Sequence, residues 1–141
     1  MSDKESEELR MLYQVTVSDL SYFKSQQWSV TNYTLALMAG LIGIAQFIKP
    51  LACIDHVILT ALLSALTVSS VIVLFKLQDS IKVRQSRLEA TRSQFSKSFL
   101  DAWAADTKGR EYLHAIYFLY STVIFGALVA VWLINFRLST L

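Results

Sequence analysis

Three stretches of the chain, residues 30–48, 57–75 and 112–136, contain no Lys, Arg, Asp or Glu. They are 19, 19 and 25 residues long. At 1.5 Å rise per residue, about 20 apolar residues cross the roughly 30 Å of bilayer hydrocarbon. The pattern therefore predicts three transmembrane helices. Between Glu5 and Gly40 there is neither Pro nor Gly until Gly40 itself, and Leu9, Leu12, Leu20 and Phe23 recur near helical spacing. This predicts a first helix running unbroken from an amphipathic segment, 1–29, into the first span. Lys49-Pro50 ends it, because proline disfavours a helical residue before it. A short loop, 49–56, then leads into the second span.

Beyond the second span, Leu77, Ile81, Leu88, Phe95, Phe99 and Trp103 form an apolar face at helical spacing with charges between its members. A straight helix from Leu77 to Asp106 would end roughly 45 Å from the membrane, yet Tyr112 must already be back at its surface. Two arrangements solve this. One is a basic helical hairpin over 76–111 that turns near Thr91, where Thr91-Arg92-Ser93-Gln94 has the form of a capping box, with Thr91 capping the new helix. The other is a surface helix with Phe95, Phe99, Leu100 and Trp103 in the headgroup region. The fold class expected is an all-α membrane protein whose helical extensions form a small bundle.

Charge distribution sets the orientation. Three Lys or Arg precede the first span and eight lie between the second and third, whereas the loop 49–56 holds only Lys49 and the tail 137–141 only Arg137. The positive-inside rule places the basic groups in the cytoplasm, so the N-terminus is inside and the C-terminus outside. The opening Ser2-Asp3-Lys4-Glu5 lacks the basic start of a secretory signal, so the first span is expected to stay uncleaved. Residues 1–29 carry a net charge of −2 and residues 76–111 a net charge of +3, which suits packing of one against the other. The whole chain, at +2, is too weakly basic to argue for nucleic acid. Membrane lipid is the expected surrounding. The charged fraction of 17% agrees, since soluble domains hold about 25%.

Catalysis needs a nucleophile with its base, a metal cluster or paired buried carboxylates, and the residues spell out none of them. His56 and His114 fall on opposite sides of the membrane by this topology, Cys53 has no partner for a disulfide, and the four glycines form no phosphate loop. No enzyme and no cofactor are expected. The spans carry small residues at packing intervals instead, which allow close backbone approach in lipid. Ala36, Gly40 and Gly43 share a side of the first span; Ala61, Ala65 and Ser69 form a stripe on the second; Thr122, Gly126 and Ala130 repeat every fourth residue on the third. These nine are expected to include contacts to other copies in a homo-oligomer. Packing within one chain is the competing account. Thr60, Ser64 and Thr67 are candidates for a pore lining, because hydroxyls can face water without the cost of a buried charge.

The segment Leu12-Tyr13-Gln14-Val15-Thr16-Val17-Ser18-Asp19-Leu20, followed by Tyr22-Phe23-Lys24, Trp28 and Thr31-Asn32-Tyr33, resembles the opening of small uncharacterised bacterial inner-membrane proteins. The plan of short spans joined to a compact cytoplasmic helical part is also similar to membrane effectors of anti-phage defence systems, which assemble and compromise the inner membrane. That likeness implies a homo-oligomer forming a pore or perturbing the bilayer under cytoplasmic control. Leu9, Leu12, Phe95, Phe99 and Trp103 would then form the cytoplasmic interface that receives a signal or a protein partner. A membrane anchor docking a soluble cytoplasmic protein through the same residues is the alternative, and a lysis protein of the holin kind a third.

Overall fold

A computed structural model describes residues 3–48, 51–95 and 113–137. Its elements are α1 (Asp3–Phe47), α2 (Cys53–Arg92), α3 (Leu113–Trp132) and a π-helical turn, Leu133–Arg137, that prolongs α3. At 1.5 Å per residue, α1 is roughly 67 Å long and α2 roughly 60 Å, about twice the hydrocarbon thickness. Each therefore has an apolar half and a charged half. α3 has little more than the apolar part. All three helices are long and apolar enough to cross a membrane.

The buried positions explain why long helices stay together. Along α1 the buried or half-buried residues Thr16, Leu20, Phe23, Gln27, Thr31, Thr34, Met38, Leu41 and Ala45 follow one another by three or four. On α2 the same alternation links Leu59, Leu63, Leu66, Ser70, Leu74, Leu77 and Ile81. On α3 it links Ile116, Leu119, Val123, Gly126, Ala130 and Ile134. A spacing that averages near 3.5 keeps one seam facing its neighbour along the length of a helix pair. The α1–α2 seam thus extends from the apolar halves into the charged ones without interruption.

Met38, Leu63, Leu74, Val123 and Ala130 form the main core, with Leu35, Leu66 and Val131 packed around them. A second cluster, Ala45, Leu59 and Ile134, closes the end near the α1–α2 loop. There α2 starts at Cys53, four residues before the uncharged run begins. The Asp55 carboxylate accepts the Ala52 backbone N–H at 2.9 Å, and an acidic group in the first turn also complements the helix dipole.

α2 ends at Arg92 and is followed by the turn residues Ser93-Gln94-Phe95. Thr91 is buried inside α2 and donates its hydroxyl to the Arg87 carbonyl at 2.8 Å, so it caps no following helix. A threonine that can cap can equally return its hydrogen to the preceding turn. The choice between a hairpin and a surface helix over 76–111 rests on residues beyond Phe95, which lie outside the described residues, as do Phe99 and Trp103.

Candidate functional site

The hydroxyls of the spans are satisfied first by their own helices. Thr34 donates to Val30 O at 2.7 Å, Ser64 to Thr60 O, Thr67 to Leu63 O and Ser70 to Leu66 O, each at 2.8 Å, and Thr122 to Phe118 O at 2.8 Å. Without water to bond, a hydroxyl in hydrocarbon turns to the carbonyl one turn back. Such bonds satisfy Ser64 and Thr67 without water. The Thr60 hydroxyl accepts a long bond, 3.5 Å, from Asn135 Nδ2 on the π turn, Thr67 is half-buried and Ser64 is exposed.

Polar groups also link the helices. Thr34 Oγ1 and Ser70 Oγ lie 2.7 Å apart, both buried. With the two backbone carbonyls they make three contacts for two hydrogens, so one hydrogen is shared. Nearer the charged end, Gln27 Nε2 donates to Gln78 Oε1 at 3.1 Å. Changing Thr34 to Val and Ser70 to Ala, singly and together, is expected to give a coupling of about 0.6 kcal/mol, and at most roughly 1.7, as such bonds do in membrane helices. Unfolding in mixed micelles measures it, and additive losses would show that the two hydroxyls do not cooperate.

Past the apolar zone, Arg84 fastens α2 to α1. Its Nε lies 3.3 Å from Asp19 Oδ2, its Nη1 donates to Ser80 O at 3.1 Å, and its guanidinium carbon stands 4.0 Å above the Phe23 ring. The carboxylate is nearly half exposed, so the ion pair contributes at most about 1 kcal/mol, and the ring contact a similar amount. The geometry fixes position more than it stabilises. Further out, Tyr13 and Phe95 meet edge to face at 5.7 Å.

Of the residues expected at the signal-receiving surface, Leu9 is buried, Phe95 is half-buried against Tyr13 and Leu12 is exposed, while Phe99 and Trp103 lie outside the described residues. What the charged half of α1 does present outward is Met11, Val15 and Tyr22, each more than half exposed. Steps of four and seven put them on one face. That spacing is visible in the sequence, though the face nearer the seam drew attention away from it.

Of the small-residue stripes, the structure separates two uses. A Cβ built on Gly126 would stand 2.8 Å from Leu35 Cδ2 and 3.5 Å from Met38 Sδ, and Ala130 has no exposed surface. Gly126 and Ala130 thus let α3 approach α1 inside the chain, as the competing account of that stripe has it. By contrast, a Cβ on Gly40 or Gly43 would meet nothing within 4 Å. Ala36, Gly40, Ala61, Ala65 and Ser69 are exposed. At 3.6 residues per turn they lie on the sides of α1 and α2 away from Met38 and Leu63, and Gly43 is on the same side.

Where the apolar halves give way to charged ones, a cavity of about 440 Å³ opens between all three helices. Its wall includes Leu20, Gln27 and Trp28 of α1, Ile81 and Lys82 of α2, and Ile116 of α3. Among the described residues no three His, Cys, Asp or Glu side chains come together as metal ligands.

Three helices long and apolar enough to span a membrane, with hydroxyls satisfied by their own helices, give the chain the build of an all-helical membrane protein. No family model, curated protein or solved structure matches the chain.

Proposed function

We propose that the chain is a non-enzymatic, multi-pass protein of a bacterial inner membrane. Its copies associate through the backs of α1 and α2 and form a pore or perturb the bilayer under cytoplasmic control, in the manner of an anti-phage effector. The observation that carries this reading is the open face at Gly40 and Gly43, flanked by exposed Ala36 and accompanied by Ala61, Ala65 and Ser69 on α2. Glycine in a helix interior costs roughly 1 kcal/mol relative to alanine, and nothing within the chain uses the closeness these two permit. A second copy would. Only about a fifth of each apolar window is buried inside one chain, which leaves ample surface for it.

A conduit would run between copies, since Leu63, Leu74 and Val123 fill the interior of the single bundle. The basic charge excess of the extensions puts them in the cytoplasm. There the uninterrupted α1–α2 seam would carry a movement of the extensions into the spans. The outward row of Met11, Val15 and Tyr22 favours a second reading, an anchor that docks a soluble protein.

Purified protein reconstituted into dye-loaded liposomes tests the choice. Release of the dye that rises with the number of copies per liposome is the expected result. Intact liposomes at every protein density would leave the anchor.

A further inference from the structure

The cavity between the three helices is graded along its length. On the side toward the spans its wall is Trp28, Ala115, Ile116 and Leu119; on the side toward the extensions it includes Lys24 and Lys82 and, further out along α2, Glu89 and Arg92. Leu20, Ile81 and Leu88 make the floor apolar between the polar groups. Gln27, Gln78 and Gln85 add carboxamides that can donate to an anionic oxygen. Among the described residues, Lys24 and Lys82 bring two cations to the part of the cavity nearest the apolar runs, which favours an anion there, while the apolar wall favours an acyl chain. The cavity begins at the level where the apolar runs end, at Val30, Phe75 and Tyr112, and extends along α2 toward Arg92.

We propose that this cavity binds an anionic phospholipid from the leaflet at the charged end. The phosphodiester sits between Lys24 and Lys82, and the acyl chains leave past Trp28 into the membrane. A basic pocket between spanning helices at the headgroup level is suited to such a group. A soluble phosphate compound shares the anion but not the apolar body, and the apolar wall of Trp28, Ala115, Ile116 and Leu119 favours the lipid. Trp28 suits the rim: its ring contacts Phe118 of α3 at 6.5 Å and indoles settle at the headgroup level. The proposal rests on the chain spanning a membrane, not on its forming a pore.

Native mass spectrometry of the detergent-purified protein tests it, with phosphatidylglycerol and phosphatidylcholine offered at equal concentration. Bound phosphatidylglycerol is expected to exceed phosphatidylcholine about tenfold. Lys24→Gln with Lys82→Gln should bring that ratio near one while circular dichroism shows unchanged helix. Lys76→Gln, at the same level on α2 but outside the cavity wall, should leave the ratio as it is. Equal binding of the two lipids by the unaltered protein would overturn the proposal. So would an equal loss on Lys76→Gln, which would reveal a diffuse surface charge effect. Displacement of the lipid by millimolar inorganic phosphate would reassign the cavity to a soluble anion. Dye release by the same preparations keeps the outcomes apart: lipid preference without release removes the pore and leaves the lipid site standing.

Discussion

Replacing Gly40 and Gly43 together by isoleucine is expected to dissociate the oligomer and lower dye release by more than tenfold, while leaving the single chain as stable as before. Among the described residues the two positions have no neighbour within 4 Å of an added Cβ, so the branch point of each new side chain meets open space. Isoleucine is also a somewhat better helix residue than glycine, by a few tenths of a kcal/mol per position. Between copies the effect reverses, because close approach of helix backbones in lipid depends on the absence of side chains at the contact. Particle mass in mild detergent and leakage from liposomes should fall together. Retention of both would mean that these glycines face lipid and that the contacts between copies lie elsewhere.

The opposite result is expected at Gly126. Isoleucine there must occupy the space of Leu35 and Met38, and overfilling a packed core costs about 1 to 3 kcal/mol. The Gly126→Ile chain should therefore unfold at lower denaturant than the unaltered protein. It should lose the α1–α3 contact while keeping the backs of α1 and α2 intact. Gly126→Ala is a gentler case. The 2.8 Å approach is to Leu35 Cδ2, the end of a flexible side chain, which can swing aside, and the gain in helix propensity offsets the shift. The pair of variants distinguishes a tight contact from an empty one: if isoleucine at Gly126 were harmless, α3 would not be seated on α1 as described.

These contrasts show which parts of the fold could be read from residue order. The long α1 follows from the lack of Pro and Gly before Gly40, its end from Pro50, and the three spans from uncharged runs; each is a local property that neighbours cannot override. Allocation of the small residues was not legible. Gly40 and Gly126 sit in similar apolar surroundings with similar spacing, and only the pairing of helices tells which is filled by Leu35 and Met38. The same holds for Thr60, Ser64 and Thr67: a hydroxyl that returns its hydrogen to its own helix and one that faces water look alike in sequence. The bond between Gln27 and Gln78 joins residues 51 positions apart, and no local pattern announces it. Thr91 was misplaced because capping and back-bonding use the same side chain.

The pairs Gln27–Gln78 and Thr34–Ser70 stand about two helical turns apart on one seam, and their carboxamides and hydroxyls meet in a single register. Sliding α1 along α2 by one turn, about 5.4 Å, would part both pairs, leaving the carboxamides unmatched and the hydroxyls with only the bonds to their own helices. Axial gliding is thereby disfavoured, and α1 with α2 behaves as a keyed shaft. α3, joined to that shaft by apolar contacts and the long Asn135 bond, is the part against which it can tilt. Under the proposed function, a signal arriving at the charged end would reach the spans as a change of inclination, not of length.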